Sequence, residues 1–533
     1  MNTRLSNLKK LQNEEYDVLI IGGGINGAVS AASLSTKGAK VALIDKGDFA
    51  GFTSSNSSNL VWGGIKYLES HEYLLINKLC KSRNHLMKSY PSTVKEIRFL
   101  TTIQKGFRFP PYIVFLSTII YWTMGRFITQ APHYLSKKQL QKKEAVINTD
   151  NSSGGFEYSD CYLFDNDARF VFNFILSALN EGCIASNYVK SFGSKKENGA
   201  WITEVRDVVN NKQFAIRSKV IVNACGPYVD KQNEESSQMT EHRHLFSKGI
   251  HLIVDRISSE ERILTFFAND GRLFFVIPMG TKTCIGTTDT QVESPNTTVT
   301  DEDRDFVLEN VNAQLKLAQP LLKSDIISER CGVRPLALKG KAEKADWLKL
   351  SRKHAIDLDK EKVHLSIFGG KLTDCINVGD EIADLIFELG IELNDFDKIW
   401  YGEPNGKIKA NFLQEAQGLG LDDLQNTVSE PVSERLWRRY GLGAFELLEV
   451  IRNDSRQSEK IIEGQEFLRC EIEFSREREM ITKLEDFLRR RSKVSQTTRH
   501  DELISTSGIR EVCKILFAEE ADAKFQEYIK SKR

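Results

Sequence analysis

The sequence predicts a mixed α/β fold followed by a helical domain, and two kinds of pattern lead to this prediction. Residues 16–45 read as an apolar strand, a glycine turn, a small-residue helix and a second strand that ends in an acid. Further strand patterns occupy residues 187–222, 250–255 and 263–288. From Ser433 onwards the chain is charged and its apolar residues follow a helical period.

The C-terminal part predicts a helical domain of its own. The composition changes after about residue 400, and little glycine follows Gly464. Apolar residues at helical spacing are Leu436, Leu447, Leu448, Ile451, Ile472, Met480, Leu484 and Leu488. One last amphipathic helix is predicted for residues 511–528. We therefore predict an α/β region over residues 1–398 and a helical domain over residues 399–533.

The glycine turn has the features of a dinucleotide-binding unit. Gly22 allows the tight turn, Gly24 lets a pyrophosphate approach the backbone, and Gly27 lets the helix pack against the strand. The helix start offers free N–H groups and a positive dipole end to phosphates. Asp45, 23 residues after Gly22, is placed to accept hydrogen bonds from a ribose hydroxyl. A Rossmann-like unit that binds the ADP half of a dinucleotide is therefore predicted.

Length and composition exclude several classes of protein. The chain has 533 residues, too many for one ordinary core, so two or three domains are expected. Lysine plus arginine equals aspartate plus glutamate at 73 each, so no net charge argues for nucleic acid. The nine cysteines are scattered, which predicts neither a disulfide framework nor a metal site. Residues 1–15 are polar and unlike a secretion signal, so a cytoplasmic location is expected.

Residues 105–126 hold the most apolar stretch of the chain. Apolar and aromatic residues dominate from Tyr112 to Met124, and Lys105, Arg108 and Arg126 flank them. The stretch is shorter than the roughly 18 to 20 apolar residues that a spanning helix needs. It predicts either a helix that lies in a membrane interface or a buried helix of the core.

Several sequence blocks occur together in the order found in one family. They lie at residues 21–28, 53–55, 63–68, 155–160, 167–169, 222–227, 285–289, 332–336, 368–373, 438–441 and 484–491. On these blocks the chain resembles the FAD-dependent glycerol-3-phosphate dehydrogenases, within the wider group of glycine/D-amino-acid-oxidase-like flavoproteins. The resemblance covers roughly residues 16 to 493. It implies FAD rather than NAD, and a Rossmann-like FAD-binding domain with an interleaved antiparallel β substrate domain, plus the C-terminal helical domain.

The resemblance also implies which residues hold the flavin cofactor. The hydroxyls of residues 53–58 suit the pyrophosphate and ribityl chain, and the small residues of the 223–227 block allow a close approach of the backbone. Backbone N–H groups of residues 369–373 suit the N1/C2=O edge of the flavin. The candidate cofactor-binding residues are Gly22, Gly24, Asn26, Gly27, Asp45, Lys46, Thr53, Ser54, Ser55, Ala224, Gly226, Gly369, Gly370, Lys371, Leu372 and Thr373.

The oxidation of an alcohol carbon beside a phosphate needs cations for the phosphate and a base for the hydroxyl proton. The resemblance assigns the phosphate to Arg334, assisted by Lys371 and Arg352. Arginine suits this role because its planar guanidinium can bind phosphate oxygens with two parallel hydrogen bonds. An ordinary salt bridge is an equal alternative for Arg352.

The chain departs from the family pattern in the substrate-facing motif of residues 59–68. The family usually has lysine, histidine and arginine where this chain has Asn59, Trp62 and Lys66. An indole cannot accept a proton, so Trp62 removes the expected base. The remaining catalytic candidates are His251 as the base, Tyr67 as a hydrogen-bond donor and Lys66 as a retained positive charge. His354 is a poorer candidate base that flanks Arg352.

Three functions compete at this point. The first is oxidation of sn-glycerol 3-phosphate to dihydroxyacetone phosphate by hydride transfer to flavin N5, with quinone or oxygen as electron acceptor. The second keeps FAD but acts on another phosphorylated polyol, a hydroxy acid or an amine, because residues 59, 62 and 66 have changed. The third is a flavin-binding docking protein without turnover. Peripheral contact with the inner face of the cytoplasmic membrane through residues 105–126 would fit quinone as acceptor, and an oligomer is left open.

Overall fold

The structure is a computed structural model that describes residues 3–268, 271–340, 353–424 and 430–532. The strands are β1 Glu15–Ile21, β2 Val41–Ile44, β3 Leu60–Val61, β4 Val94–Gln104, β5 His133–Leu135, β6 Ser152–Leu163, β7 Ile184–Ser186, β8 Val189–Glu197, β9 Ala200–Asp207, β10 Lys212–Asn223, β11 His242–Asp255, β12 Arg262–Phe267, β13 Leu273–Met279, β14 Lys282–Gly286, β15 Thr290–Val292, β16 Ser328–Lys339, β17 Ala355–Asp359 and β18 His364–Phe368.

The α-helices are α1 Thr3–Asn13, α2 Ile25–Thr36, α3 Tyr73–Ser89, α4 Pro111–Met124, α5 Lys137–Lys143, α6 Asp167–Asn180, α7 Val229–Glu235, α8 Asp301–Gln314, α9 Cys375–Glu388, α10 Gly406–Gly418, α11 Val432–Tyr440, α12 Ala444–Asn453, α13 Arg469–Arg478, α14 Val494–Thr497, α15 His500–Ser505, α16 Ser507–Phe517 and α17 Ala521–Lys532. Short 3-10 turns that bear on the site are Thr53–Ser55, Ile65–Leu68, Gly226–Tyr228 and Leu372–Asp374, and one π-helical turn spans Asp486–Arg491.

The first sheet carries the dinucleotide unit. Its strand order is β17-β18-β10-β1-β2-β7, and the five strands from β18 to β7 run parallel. The helices α2, α6 and α9 pack together and share one core with this sheet. Small residues of α2, among them Ala28 and Ala32, are fully buried in that core. They let the helix lie close to β1, as the glycine pattern predicts.

The second sheet is the predicted interleaved β domain. Its order is β15-β11-β14-β13-β12-β4-β6-β3, with β16 paired to β11 and β5 paired to β6. All pairs are antiparallel except β4 with β12, which run parallel. The helix α4 packs against β6 at one end of this sheet. The predicted mixed α/β class is confirmed.

The helical C-terminal part is also confirmed, with one correction. All eight apolar residues that the helical spacing singled out are buried. The prediction of a single helix over residues 511–528 is wrong, because α16 ends at Phe517 and Ala518 has φ of +50°. Both α16 and α17 place apolar side chains in the same core cluster. The domain boundary between residues 398 and 399 stays a prediction.

The apolar segment forms helix α4, which is neither buried nor long. Only Thr118 and Tyr121 of this helix are buried, while Tyr112, Ile113 and Leu116 are exposed. Within the described part of the chain, no helix is long and apolar enough to cross a bilayer. One side of α4 packs on a core cluster through Tyr121, Phe115 and Met124, so the alternative of a fully buried core helix is wrong, because the other side is exposed.

Candidate active site

A cavity of about 480 Å³ opens at the carboxyl end of β1. The turn that follows β1 is held by tight backbone packing. Gly22 has φ of +109°, and a Cβ atom there would lie 2.5 Å from the carbonyl oxygen of Ala224. A Cβ atom at Gly27 would overlap the carbonyl oxygen of Gly22. Only glycine allows this approach, which brings the N-terminus of α2 to the cavity.

Asp45 follows β2, lines the cavity and is buried. Its carboxylate accepts hydrogen bonds from the backbone N–H of Gly23 (2.7 Å) and of Gly47 (2.8 Å). Burial nevertheless raises the pKa of Asp45 to about 6, because a desolvated carboxylate is less stable. Each carboxylate oxygen keeps a further lone pair that can accept a hydrogen bond from a hydroxyl group.

An aromatic and cationic group closes the same end of the cavity. The Lys46 ammonium lies 3.0 Å from the centroid of the Tyr228 ring and 4.9 Å from that of Phe52. The two rings meet edge to face at 5.2 Å. Sequence reasoning nominated Lys46 but missed both rings, because nothing local in the chain connects residues 52 and 228.

Twelve of the sixteen candidate cofactor residues line this one cavity: Gly22, Gly24, Asn26, Asp45, Lys46, Thr53, Ser54, Ala224, Gly226, Gly369, Gly370 and Leu372. The other four, Gly27, Ser55, Lys371 and Thr373, are not among the lining residues. Cavity residues that the sequence did not nominate include Lys190, Arg206, Lys231 and Gln232. They come from β8, β9 and α7, whose approach to the cavity depends on the sheet and leaves no local motif.

Residues 53–59 connect the cavity to the second sheet. Thr53 donates its hydroxyl to the carbonyl oxygen of Val333 (2.7 Å) on β16. The Ser54 hydroxyl accepts a hydrogen bond from the backbone N–H of Ile25 (3.0 Å) at the start of α2. A Cβ atom at Gly332 would lie 2.9 Å from the carbonyl oxygen of Asn56. The segment therefore lies directly on β16, between the two sheets.

Arg334 stands on β16 next to Pro335, which lines the cavity. Its Nη2 atom donates to the Thr287 hydroxyl (2.8 Å), and its Nη1 atom lies 3.5 Å from Asp289 Oδ1. The side chain remains 23% exposed, so a ligand can reach it. Gly249 on the neighbouring strand leaves the space for the guanidinium, since a Cβ atom there would overlap it. Thr287, Asp289 and Gly249 were missed by sequence reasoning.

His251 lies on β11 opposite Arg330 of β16 and is only 1% exposed. Its Nε2 atom is 2.8 Å from the half-buried hydroxyl of Ser58. Burial, followed by the nearby Arg330, Arg334 and Arg489, lowers the pKa of His251 well below its usual 6.5. The imidazole is therefore neutral. Its Nε2 atom accepts a hydrogen bond from Ser58 in the tautomer that carries the proton on Nδ1, and donates to Ser58 in the other tautomer.

Asn59 does not face a substrate. It is buried, donates its amide to the carbonyl oxygen of Asp165 (3.0 Å) and accepts a hydrogen bond from Arg330 Nη1 (3.0 Å). The neutral Asn59 side chain thus satisfies its hydrogen bonds with buried protein groups. The reading of Asn59 as part of a substrate-facing motif is wrong.

Trp62 is half-buried and belongs to the same neighbourhood as Tyr67 and Lys371. Its indole meets the ring of Phe275 edge to face at 6.2 Å. Its backbone N–H donates to the hydroxyl of Thr373 (3.2 Å), which ties the 62–68 motif to the turn after β18. The Lys371 ammonium lies 4.2 Å from the centroid of the Tyr67 ring. The structure thus brings two of the candidate substrate residues into contact.

The remaining candidates divide. Lys66 lies in the short turn Ile65–Leu68 beside Tyr67. Arg352 lies outside the described residues. His354 contacts Asp374 (3.0 Å) and Glu381 (2.7 Å). Burial alone would lower the pKa of His354, but these two carboxylates raise it to about 9. The ring is therefore protonated at neutral pH and cannot act as a base there.

Comparisons with known proteins agree with this geometry. A family model described as FAD dependent oxidoreductase matches residues 17–347, and one described as the C-terminal domain of alpha-glycerophosphate oxidase matches residues 405–519. The aerobic glycerol-3-phosphate dehydrogenase of Staphylococcus epidermidis is 32% identical over 510 residues, covering 91% of this chain and 88% of the relative. That of Staphylococcus aureus is 30% identical over 506 residues, with the same coverage.

Solved structures share the fold. The glycerol-3-phosphate dehydrogenase from Bacillus halodurans complexed with FAD has a TM-score of 0.75 at 23% identity and covers 99% of this chain and 97% of its own. Glycine oxidase from Geobacillus kaustophilus has a TM-score of 0.53 at 16% identity, covering 72% of this chain and 98% of its own.

The fold and the cavity define an oxidoreductase that uses FAD. Within that class, the chain belongs to the family of FAD-dependent glycerol-3-phosphate dehydrogenases. The residues present fit the cofactor, because a glycine turn, a helix start and a buried carboxylate meet in one cavity, as FAD requires.

Proposed function

We propose that this protein oxidises sn-glycerol 3-phosphate to dihydroxyacetone phosphate with bound FAD. The position of Arg334 carries the proposal. Its partly exposed guanidinium shares a face of β16 with Gly332 and Arg330, which contact residues 56 and 57. Ser57 lines the cavity, so a phosphate bound at Arg334 would lie beside the cofactor. Arginine binds a phosphate dianion more tightly than a neutral hydroxyl, which favours a phosphorylated alcohol.

The cavity lining would hold FAD. The turn at Gly22 and Gly24 and the start of α2 would bind the pyrophosphate, and Asp45 would accept a hydrogen bond from the ribose. The 53–55 hydroxyls, Ala224 and Gly226 would face the pyrophosphate and ribityl chain, and residues 369–373 would face the pyrimidine edge of the flavin. Bound FAD supplies a hydride acceptor at its N5 atom.

The protein groups would bind the substrate and take its hydroxyl proton. Arg334, Lys371 and Arg352 would hold the phosphate, while Tyr67 would donate a hydrogen bond to a substrate oxygen, with Lys66 nearby. His251 is too deeply buried to touch the substrate directly. The Ser58 hydroxyl, 2.8 Å from His251 Nε2, would pass the proton to the neutral imidazole.

A steady-state assay with an artificial electron acceptor tests the phosphate assignment. Glycerol 3-phosphate should be oxidised with a kcat/KM at least about 100-fold higher than glycerol, because only the former engages Arg334. The variant Arg334→Met should remove most of that preference. Equal kcat/KM values for the two alcohols in the unmodified protein would contradict the proposal.

Trp62 favours one competing function, the oxidation of a larger or flatter substrate. Its indole is half-buried against Phe275, close to the Tyr67 and Lys371 pair. A ring at this point can stack on an apolar ligand but cannot accept a proton. The variant Trp62→His decides between the two substrates. A large gain in kcat with glycerol 3-phosphate would favour the competing function, and a loss or no change would favour our proposal.

We further propose that electrons pass to quinone, or to oxygen, at the inner face of the cytoplasmic membrane. The exposed side chains of Tyr112, Ile113, Leu116, Ile120 and Phe127 form an apolar surface on and after α4. Exposed Lys105, Arg108 and Arg126 surround it. Aromatic and aliphatic residues with basic neighbours are suited to an anionic lipid surface, where quinone is dissolved.

Sedimentation with vesicles that contain phosphatidylglycerol tests this part. The double variant Tyr112→Ser with Leu116→Ser should lower the vesicle-bound fraction several-fold. The matched control Ile399→Ser removes an exposed apolar side chain (72% exposed) that lies outside the α4 surface, and should leave binding unchanged. Equal binding by the double variant and the control would contradict the membrane assignment.

A further inference from the structure

The π-helical turn Asp486–Arg491 of the C-terminal part reaches the cofactor cavity from behind. All six of its residues are buried. Its three arginines contact the loop of residues 48–56, which on its other side lines the cavity through residues 51–54. Residues 48–56 thus lie between the C-terminal turn and the cavity.

Asp48 is the first contact point. Its carboxylate accepts hydrogen bonds from Arg490 Nε (2.5 Å), Arg491 Nη1 (2.9 Å) and Arg491 Nη2 (2.8 Å). Two residues later, the Ala50 N–H donates to the carbonyl oxygen of Gly23 (2.9 Å), in the glycine turn itself. The ion pairs at Asp48 therefore fix the backbone that supports the turn.

Arg489 is the second contact point, and its partners are unusual. Its Nη2 atom donates to the carbonyl oxygen of Ser55 (2.7 Å) and to Asn56 Oδ1 (3.0 Å). Burial, together with the nearby charge of Arg330, lowers the pKa of Arg489 to about 9. None of the ion pairs formed among the described residues includes Arg489, and its Nη1 atom finds no hydrogen-bond partner there.

Asp167 and Glu485 lie near enough to offset part of the Arg489 charge, but neither forms an ion pair with it. A buried guanidinium without an ion pair lowers the stability of a folded protein, because the loss of hydration is only partly compensated. Stabilisation of the fold therefore does not explain Arg489. What the side chain does provide is a pair of charge-assisted hydrogen bonds to Ser55 and Asn56. These bonds set the direction of the backbone directly after Thr53 and Ser54, both of which line the cavity.

We propose that Arg489 is a positioning residue for FAD, and that the C-terminal domain completes the cofactor site through it. Arg490 and Arg491 fix the start of the 48–56 loop at Asp48, and Arg489 fixes its end. The inference rests on FAD binding in the described cavity and needs no turnover. By thermodynamic linkage, bound FAD must in return stabilise the turn that carries Arg489.

The variants Arg489→Met and Arg489→Lys test this role against a merely structural one. Two readouts are measured on each purified protein: the Kd for FAD by fluorescence quenching, and the Tm of the FAD-free form. Arg489→Met should weaken FAD binding about 10-fold, as expected for lost charge-assisted hydrogen bonds, while the Tm stays equal or rises. Arg489→Lys keeps a donor and should restore part of the affinity.

Arg435→Met is the matched control. Arg435 is also buried but pairs with Glu471 (2.7 Å) inside the C-terminal domain, away from the loop. Its loss leaves a buried carboxylate with fewer partners, so the Tm should fall while the Kd for FAD changes little. Hydrogen exchange at residues 486–492 should slow on FAD addition in the unmodified protein and respond less in Arg489→Met.

Two outcomes would overturn the proposal. The first is an unchanged Kd for FAD in Arg489→Met. The second is a loss of affinity in Arg489→Met that is accompanied by a lower Tm and is not restored in part by Arg489→Lys. Either result would make the C-terminal turn a packing element alone.

Discussion

At the scale of single residues, His251 is the group whose environment decides its chemistry. The ring is buried, hydrogen-bonded to Ser58 and surrounded by three arginines, so it stays neutral where an exposed histidine would charge. A neutral imidazole can accept the hydroxyl proton. Its lowered pKa makes it a weaker base than usual, and activity should persist into mildly acidic solution.

His251→Asn should lower kcat with glycerol 3-phosphate by roughly 10²- to 10⁴-fold, the usual contribution of a general base, with little effect on KM. The acidic limb of the pH profile of kcat/KM should lie below the ordinary histidine value of 6.5. Full kcat in the variant, or a limb at or above 6.5 in the parent, would contradict the assignment. The retained absorbance spectrum of bound FAD serves as the control for folding.

Asp45 predicts a pH dependence of cofactor binding. Its pKa is raised to about 6 by burial, so the group is a carboxylate above that pH and a neutral acid below it. The neutral acid loses an acceptor site for the ribose hydroxyl, and the Kd for FAD should rise as the pH falls through 6. Asp45→Asn should bind FAD more weakly with a flat profile between pH 5 and 7. An identical pH dependence in both proteins would contradict this role.

The residues that sequence reasoning misjudged share one physical feature. Asn59 was read as substrate-facing, yet its amide oxygen binds Arg330, 271 positions away in the chain. Thr287 was missed as the partner of Arg334 because β14 and β16 meet only through β11. The glycine turn was readable because one of its close contacts is local: a Cβ atom at Gly27 would overlap the carbonyl oxygen of Gly22, five residues earlier. Long-range side-chain contacts leave no comparable trace.

At the scale of elements, the pairing of β11 with β16 builds the substrate side of the site. The register places Gly249 opposite Gly332, between the His251–Arg330 and Ser247–Arg334 pairs. Alternate residues of a strand share a face, so these side chains all face residues 53–59. Two opposed glycines leave the gap in which the Arg334 guanidinium and the Asn56 backbone lie.

Gly249→Ala should therefore impair phosphate binding without touching a ligand. The added Cβ overlaps the Arg334 guanidinium and must displace it, so the KM for glycerol 3-phosphate should rise about 10-fold, as for a weakened charged hydrogen bond. The Kd for FAD should stay the same. Gly418→Ala is the control, because a Cβ there meets nothing within 4 Å. Equal KM values in the two variants would show that Arg334 does not bind the phosphate.

Elements were predicted unevenly. The strand patterns at residues 187–222, 250–255 and 263–288 contain strands that the structure shows there, among them β9, β12 and β13. The long strands β4, β6 and β16 were not predicted. The break between α16 and α17 was not predicted either, since it depends on a shared core that the helix pattern alone cannot show. The exposed face of α4 was one of two alternatives, as an apolar run reports hydrophobicity but not what covers it.

At the scale of the whole molecule, buried ion pairs join the C-terminal helices to the α/β region. Asp165 accepts from Arg438 (2.7 Å) and Arg439 (2.9 Å) and lies 3.1 Å from Lys493. Burial alone would raise the pKa of Asp165, but these cations hold it well below the ordinary 3.8. Arg491 and Arg490 likewise keep the pKa of Asp48 below that value. The order of domains was predictable from sequence, whereas this interface was not.

Acid should therefore weaken the molecule at this interface. A carboxylate whose folded pKa is depressed contributes stability above its unfolded pKa and loses it as the pH falls through the folded value. The free energy of unfolding should decline below about pH 4. Asp165→Asn should cost about 3 kcal/mol at neutral pH and flatten that decline, whereas Asp522→Asn, at an exposed pair, should do neither. Chemical denaturation across pH 3 to 7 measures both effects.

The central claim is the reduction of bound FAD by glycerol 3-phosphate, and one anaerobic mixing experiment tests it most directly. The flavin absorbance at about 450 nm is followed after the FAD-loaded protein is mixed with the substrate. We predict rapid bleaching, formation of dihydroxyacetone phosphate in equal amount, and a much slower reaction in Arg334→Ala. No bleaching by this substrate, in a protein whose flavin dithionite reduces normally, would contradict the account.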